Sequence, residues 1–206
     1  MNYQWYPGHM TKAKRMMQEN IKLIDLVIEL VDARIPLSSR NPDIDTLAAG
    51  KSRMVLLNKS DLADASGNAQ WKKYFEEKGI HVLEINAKAG SGVKSVNGLV
   101  QEACKEKIER DRKRGIVNRP VRAMVVGIPN VGKSTLINRL VSKKAVLVGN
   151  KPGITKQLNW IRINNDLELL DTPGILWPKL DEEKVAFNLA SLTAIKEEIL
   201  PLFDVV

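Results

Sequence analysis

The residues best suited to do chemistry form a glycine-rich segment past the middle of the chain. The sequence GIPNVGKS (127–134) fits the pattern G-x-x-x-x-G-K-S/T and follows the apolar run 123–126. Glycines let backbone N–H groups point at phosphate oxygens, and the positive end of a following helix adds to that attraction. Lys133 is suited to reach the terminal phosphates, and the Ser134 hydroxyl to bind Mg²⁺. The segment therefore predicts a site for a nucleoside triphosphate. Its predicted contacts are Asn130, Val131, Gly132, Lys133, Ser134 and Thr135.

A second pattern, Asn-Lys-x-Asp, occupies residues 58–61 directly after an apolar run. The Asp61 carboxylate can accept two hydrogen bonds from the ring N–H and the amino group of guanine, whereas adenine offers no such pair. Asn58 would bond the opposite edge of the base, and the Lys59 stem would cover its face. Residues 86–88 (Asn-Ala-Lys) follow the next predicted strand, at 80–85. Together these segments predict that the base is guanine. The predicted contacts are Asn58, Lys59, Ser60, Asp61, Asn86 and Ala87.

A third pattern, Asp171-x-x-Gly174, is typical of a segment that senses the terminal phosphate. The Asp171 carboxylate would reach Mg²⁺ through water, and the Gly174 N–H would contact the phosphate. Thr155, in the glycine- and proline-containing stretch 149–157, is the candidate to close over that phosphate and complete the metal shell. The expected metal-binding residues are therefore Ser134, Thr155 and Asp171.

Apolar runs and helical patterns alternate along the chain. Strands are predicted at 26–31, 53–57, 80–85 and 121–126, helices at 11–24, 70–78, 93–114 and 135–142, and a hairpin with strands 158–163 and 167–170. This alternation predicts an α/β fold with a mostly parallel sheet and helices on both faces. The GIPNVGKS segment makes the expected fold one of the P-loop NTPase type. Because ligands bind at the carboxyl ends of the strands in such sheets, the motifs should meet at one edge.

The composition favours an acidic partner. The net charge is +8 and 44% of the residues are hydrophobic, which is ordinary for a globular chain. Nucleic acid is the commonest acidic partner, although a solvated basic surface would give the same balance. Cys104 is the single cysteine, which excludes an internal disulfide framework and fits a reducing compartment. No apolar stretch approaches the ~20 residues of a membrane span, and residues 1–10 lack a signal pattern. We therefore expect a cytoplasmic protein, a monomer, with no membrane partner.

The order of the motifs carries a family resemblance. It runs NKSD, NAK, GIPNVGKS, GIT, DTPG, whereas Ras-like GTPases begin with the phosphate loop. In this it resembles the circularly permuted GTPases, in which joined termini move the base-reading motifs forward. The segments WYPGHM-TKAKR, VDARIPLSSRNP and LLDTPGILWPK resemble the ribosome biogenesis GTPase A family, bacterial assembly factors for the large ribosomal subunit. The similarity runs from Gln4 to about Lys196.

The resemblance implies a circularly permuted Ras-like G domain over 25–180 that binds GTP and GDP and hydrolyses GTP. The implied partners are the precursor of the large subunit and its rRNA. A basic surface would dock on that RNA, formed by Lys12, Lys14, Arg15 and residues 105–122. Residues 1–24 would be an aromatic and basic lead with a helix. Residues 181–206 would begin a C-terminal helical segment that is cut short, because the family carries a further helical domain there.

Catalysis needs a group other than the usual glutamine. Ras-like enzymes place a water-orienting glutamine directly after the DxxG glycine, and this chain has Ile175. The resemblance implicates His9, although a lone histidine there could equally pack or face RNA. Asn130 resembles an asparagine that holds K⁺ against the phosphates, as an arginine finger would. The expected catalytic residues are thus His9, Asn130 and Lys133, with slow intrinsic hydrolysis that a pre-ribosomal particle accelerates.

Two other interpretations remain open at this point. The chain could be a nucleotide-regulated RNA-binding scaffold with little hydrolysis. It could also be a permuted GTPase of the small subunit, but those proteins typically carry an N-terminal OB barrel and a zinc site. One cysteine and two histidines, His9 and His81, do not supply a zinc set.

Overall fold

The computed structural model describes residues 3–4, 8–141, 159–176, 179–180 and 183–192. Among these residues there are eight strands: β1 (Tyr3–Gln4), β2 (Leu26–Asp32), β3 (Ser52–Asn58), β4 (His81–Glu84), β5 (Val121–Gly127), β6 (Asn159–Arg162), β7 (Leu167–Asp171) and β8 (Lys179–Leu180). The α-helices of the same part are α1 (Gly8–Asn20), α2 (Asp43–Leu47), α3 (Ala65–Glu76), α4 (Val96–Ala103), α5 (Lys105–Lys113), α6 (Lys133–Leu140) and α7 (Glu183–Ser191).

Six of the strands form one sheet in the order β4-β3-β2-β5-β7-β6. All neighbours pair in parallel except β6, which lies antiparallel on β7 at the edge. Strands β1 and β8 make a separate two-stranded antiparallel ribbon. The predicted α/β fold with a mostly parallel sheet is confirmed. The phosphate-loop strand β5 follows β2, β3 and β4 in the chain yet lies beside β2, which is the arrangement that a permuted order requires.

Predominantly apolar sequences explain why the central strands are buried. Every residue of β2 is buried, as are the last five of β3 and all of β5 except Arg122. Parallel sheets require cover on both faces, so such strands lack polar alternation. Helix α1 supplies part of that cover, because Met10, Ala13 and Met17 share one core with β2 and β5.

The predicted single helix over 93–114 is wrong. The structure has a short 3₁₀ turn at Val93–Ser95, then α4 and α5, separated at Cys104. Cys104 is buried and its backbone leaves the helical region, with φ −106° and ψ 10°. Helix α4 buries Val96 and Val100 on the sheet, whereas α5 has no buried residue. The helical spacing of apolar residues, on which the prediction rested, does not show a one-residue interruption between a buried helix and an exposed one.

Helix α3 begins five residues before its predicted start at Gln70. Asp64 caps it, since its Oδ2 accepts a hydrogen bond of 2.7 Å from the Gly67 N–H. The apolar pattern of this helix starts only after its polar first turn, so the cap was the better signal. The predicted hairpin between β6 and β7 is confirmed, with Asn164 Oδ1 accepting from the Asp166 N–H at 2.8 Å. None of the described helices has the length and apolar character to cross a membrane.

Candidate nucleotide-binding site

The strand register brings the predicted motifs to one edge of the sheet. Asp32 pairs with Asn58, Leu30 with Gly127, and Val125 with Asp171. These residues end four neighbouring parallel strands, or lie within two residues of the end. Three motifs that are far apart in the sequence therefore meet where an α/β sheet binds its ligand.

The phosphate loop turns through two residues of left-handed backbone conformation. Asn130 has φ 62° and Gly132 has φ 102°, and α6 starts directly afterwards at Lys133. A Cβ on Gly132 would overlap the Asn58 amide nitrogen, so only glycine fits there. The loop thus ends at a helix N-terminus, where unsatisfied N–H groups attract anions.

Lys133 and Asp171 form a buried ion pair at the centre of the site. Lys133 Nζ lies 3.2 Å from Asp171 Oδ1 and also donates a hydrogen bond to the Thr172 carbonyl. Asp171 is fully buried, and its other oxygen, Oδ2, has no hydrogen-bond partner among the described residues. A buried carboxylate oxygen without a donor is costly unless a cation faces it. Asp171 therefore fits the Mg²⁺ that the sequence predicted, with Ser134 half-buried at the start of the adjoining helix.

The DTPG segment lies directly on the phosphate loop. A Cβ on Gly174 would come within 2.9 Å of both the Pro129 nitrogen and its Cα. The Ile175 N–H donates to the Gly127 carbonyl at 3.2 Å. These contacts are made by backbone atoms rather than by side chains. A displacement of either segment would therefore displace the other.

Ile175 itself belongs to the hydrophobic core. Its side chain is 2% exposed, and Leu176 beside it is 1% exposed. At this position a Ras-like enzyme would present its glutamine to water. Here the residue instead anchors the end of the DTPG segment in the protein interior.

Asn58 joins the phosphate loop to the 86–88 loop. Its Nδ2 donates to the Val131 carbonyl at 2.8 Å, and its Oδ1 accepts from the Ala87 N–H at 2.9 Å. The residue is only 3% exposed. The amide that we expected to face the base thus spans two loops of the site, and its contact with the base stays a prediction.

Asn86 shapes its own loop. Its Oδ1 accepts from the Ala89 N–H at 2.8 Å, and its backbone bridges to Ser91. Asp61, by contrast, is exposed in the short 3₁₀ turn Ser60–Leu62 after β3. The carboxylate predicted to read guanine is therefore open to solvent, at the end of a strand that the core holds in place.

Asp32 and Arg34 were not predicted to take part in the site. Lys59 Nζ lies 2.9 Å from Asp32 Oδ2 and 3.3 Å from the Asn130 carbonyl. The Arg34 Nε and Nη2 donate to the two Asp32 oxygens at 2.9 and 2.8 Å. Burial acts to raise the pKa of Asp32, but the hydrogen bonds from Arg34 and Lys59 outweigh it and hold that pKa below its ordinary value. The sequence feature that could have indicated Asp32 is its position as a polar residue at the end of β2, the buried strand beside β3.

Two predicted site residues cannot be placed at the side-chain level. His9 lies in the first turn of α1, but its side chain is outside the described residues. Thr155 lies entirely outside them. Their predicted roles therefore stay predictions.

The basic surface has two parts at different places. On α1, Lys12 and Arg15 are exposed, while Lys14 pairs with Asp43 at 2.6 Å. At α5, Lys107 and Arg119 pair with Asp25 and Asp111, which attaches the helix to the residue before β2. Four cations at the end of α5 are exposed and make no ion pair with any described residue: Arg110, Arg112, Lys113 and Arg114. We call these four residues the α5 basic patch. It lies toward the amino ends of the strands, away from the phosphate loop.

Comparison with known proteins agrees with this geometry. The family model described as "50S ribosome-binding GTPase" matches residues 122–205. A ribosome biogenesis GTPase A from Priestia megaterium is 55% identical over 100% of this chain and 72% of its own length. The protein of the same name from Bacillus cereus is 52% identical over 100% of this chain and 69% of its own.

Solved structures show the same fold with nucleotide. The chain is similar to GNP-bound YlqF from Thermotoga maritima, with a TM-score of 0.68 and 28% identity over 94% of this chain and 71% of that one. The GDP-bound YlqF structure gives a TM-score of 0.61, also at 28% identity, over 89% of this chain and 70% of that one.

Proposed function

The chain belongs to the ribosome biogenesis GTPase A family, and on that premise we propose how its site serves the family's function. It is a circularly permuted GTPase of large-subunit assembly. The observation that carries the proposal is the direct bonding of three distant motifs, Asn58 to Val131 and Ile175 to Gly127. The segments that would read the base, bind the phosphates and sense the terminal phosphate would thereby be linked at one edge of the sheet.

GTP and GDP are the proposed ligands. Lys133 and the N–H groups of residues 130–135 would bind the phosphates, as in other P-loop proteins. Asp61, with Asn58, Lys59, Ser60, Asn86 and Ala87 around it, would bind guanine. The exposed position of Asp61 and the left-handed turns of the loop support this assignment, as do the GNP- and GDP-bound YlqF structures. Gly174 would offer its N–H to the terminal phosphate.

Mg²⁺ is the proposed cofactor, held by Ser134, Thr155 and Asp171. The partnerless buried oxygen of Asp171 supports this choice. When bound, the ion would neutralise charge on the phosphate oxygens and hold them in line for attack. Lys133 would then exchange its bond with Asp171 for the phosphates. We also propose K⁺ at Asn130, whose left-handed backbone sits in the middle of the phosphate loop.

Hydrolysis would depend on a partner. Ile175 is buried in the core, so the residue after the DxxG glycine does not orient water. His9, in the first turn of α1, is the proposed alternative within the chain. We propose slow hydrolysis by the free protein and faster hydrolysis on an immature large subunit, which orders the catalytic groups. The protein would act in the cytoplasm, where bacterial ribosomes assemble.

Single-turnover assays with [γ-³²P]GTP test this proposal. Hydrolysis should be slow for the free protein and accelerate when immature large subunits are added. His9→Ala should bind GTP normally and lose the accelerated rate, whereas His81→Ala, which lies on β4, should keep it. A fast rate for the free protein that particles leave unchanged would contradict partner dependence, and full stimulation of His9→Ala would remove His9 from the mechanism.

A further inference from the structure

The carboxylate of Asp32 lies one strand away from the base-reading segment, between two cations. Asp32 ends β2, and the parallel register places it opposite Asn58 at the end of β3. Its side chain is only 3% exposed. None of the nucleotide motifs includes it.

Lys59 connects this carboxylate to the phosphate loop. Its backbone takes the left-handed conformation with φ 59°, which ends β3 and directs the chain into the Ser60–Leu62 turn. Its Nζ then lies 2.9 Å from Asp32 Oδ2 and 3.3 Å from the Asn130 carbonyl. The long Lys59 side chain is therefore fixed at its ammonium end as well as at its backbone.

Arg34 fixes the carboxylate itself. Its guanidinium makes two bonds with Asp32, and its backbone N–H donates a third to Oδ1 at 3.1 Å. Such a bidentate pair sets the plane of the carboxylate. One edge of Oδ2 is then left to face Lys59, so Asp32 is held in a single orientation in which it can anchor the lysine.

We infer that Asp32 is a positioning residue for guanine-nucleotide binding, which anchors Lys59 with its stem across the base and its ammonium on the phosphate loop. The inference rests on the proposed function, because it names what holds one of the proposed base contacts in place. A free lysine side chain loses rotational freedom when a ligand orders it. An anchored one has already lost that freedom, so the nucleotide binds a preorganised surface. Asp32 thereby increases affinity without touching the nucleotide.

A double-mutant cycle on GDP affinity tests this. Asp32→Asn, Lys59→Met and the double variant are compared with the unmodified chain, using mant-GDP fluorescence for Kd and dissociation rate. We expect Asp32→Asn to bind roughly tenfold more weakly, since a charged hydrogen bond is lost. In the Lys59→Met background the same change should have almost no further effect, because the lysine that Asp32 holds is gone. A stability role alone would give the same loss in both backgrounds.

Asp43→Asn is the matched control. It also removes a carboxylate paired with a lysine, Lys14 at 2.6 Å, but it lies on α2 outside the nucleotide motifs, so GDP affinity should stay within about threefold of the unmodified value. Asp32→Glu keeps the charge but displaces it by one methylene, and it replaces Asp32→Asn in the cycle if that variant does not fold. The GDP affinity of Asp32→Glu should also be lower than that of the unmodified chain. In the Lys59→Met background the same substitution should have almost no effect.

Additive losses in the cycle, or unchanged GDP affinity in Asp32→Asn and Asp32→Glu, would overturn the inference. The proposed function is tested separately by the unmodified chain. If that chain bound no guanine nucleotide, the proposed function would fail, whereas normal binding with an additive cycle would remove only the role of Asp32.

Discussion

At the centre of the site, the buried positive charge of Lys133 is compensated by the buried negative charge of Asp171. The lysine is 6% exposed and the aspartate fully buried, so each charge depends on the other or on a ligand. Removing one member of a buried pair leaves the other uncompensated, which costs more than the pair itself contributes. Lys133, which would bind phosphate, and Asp171, which would bind the metal, thus also stabilise the folded protein.

Lys133→Ala should therefore damage stability as well as binding. We expect the nucleotide-free variant to lose about 3 kcal/mol in free energy of unfolding, because Asp171 remains as an unpaired buried carboxylate. It should also fail to bind GTP. Urea unfolding followed by circular dichroism measures the first effect. Lys12→Ala, on the exposed face of α1, is the control and should not shift the unfolding midpoint. Unchanged stability of Lys133→Ala would contradict the structural role of the pair.

Gly174→Ala tests the backbone junction between the DTPG segment and the phosphate loop. The added methyl would press on Pro129, and one of the two segments would have to move. We expect GTP affinity to fall by about tenfold or more, measured by mant-GTP titration. Gly98→Ala in α4 is the matched control, because a Cβ there meets nothing within 4 Å. It should leave GTP binding intact and raise helix stability slightly. Equal affinities for the two variants would mean that the junction tolerates displacement.

At the scale of elements, the six strands of the main sheet were predictable from the sequence, whereas the short strands β1 and β8 and some helix boundaries were not. Residues 26–31 and 121–126 are apolar except for Glu29 and Arg122, and such nearly unbroken apolar segments are typical of strands buried in a parallel sheet. The break at Cys104 depends on how α4 meets the sheet and on what holds α5, which are tertiary contacts that no local period encodes. For the same reason the sequence did not predict that Asp32 takes part in the site. Its proposed role depends on its contacts with Arg34 and Lys59, and it belongs to none of the nucleotide motifs.

Helix α5 has no fully buried residue, and ion pairs attach it to the sheet in addition to the partly buried Ile108, which packs against the core. Asp25 contacts Lys107 and Arg119, and its Oδ2 accepts a hydrogen bond of 3.0 Å from the N–H of Arg122, the second residue of β5. One carboxylate thus connects the helix, the segment after it and two central strands.

Asp25→Asn should loosen this attachment. We expect a loss of about 2 kcal/mol in free energy of unfolding, since hydrogen bonds to a charged acceptor become neutral ones. GDP affinity should not change, because Asp25 lies at the opposite edge of the sheet from the phosphate loop. Glu109→Gln, an exposed residue of the same helix, is the control and should leave both quantities unaltered. Weaker GDP binding in Asp25→Asn would show that the two edges are coupled.

At the scale of the whole molecule, the chain separates its basic surface from its nucleotide site. The net charge of +8 was visible in the sequence, but not that α5 uses Lys107 to hold itself in place and leaves the α5 basic patch exposed. The convergence of the motifs was predictable from their positions after strands. Their bonding to one another through Asn58 and Ile175 was not, because it depends on backbone geometry.

The α5 basic patch should contribute to particle binding independently of nucleotide. Changing Arg110, Arg112, Lys113 and Arg114 to Gln should weaken cosedimentation with immature large subunits. The slope of log K against log salt should fall by roughly 0.7–0.9 for each phosphate that the surface no longer neutralises. GTP affinity should stay as it was. A variant with Lys72 and Lys73 of α3 changed to Gln is the control for nonspecific charge. An unchanged slope in the α5 variant would exclude this surface from RNA binding.

The exposed stretch 112–119 also has a consequence for how the molecule is divided. The segments proposed to bind the base, residues 58–61 and 86–88, come before it in the chain, and the segments proposed to bind the phosphates, residues 127–134 and 171–174, come after it. The two parts meet along the parallel pairing of β2 with β5, at the centre of the sheet. Permutation has therefore exchanged the order of two consecutive groups of motifs, and a solvent-exposed stretch of chain now joins them. Cutting the polypeptide there would give two fragments, each carrying half of the recognition, that guanine nucleotide could hold together.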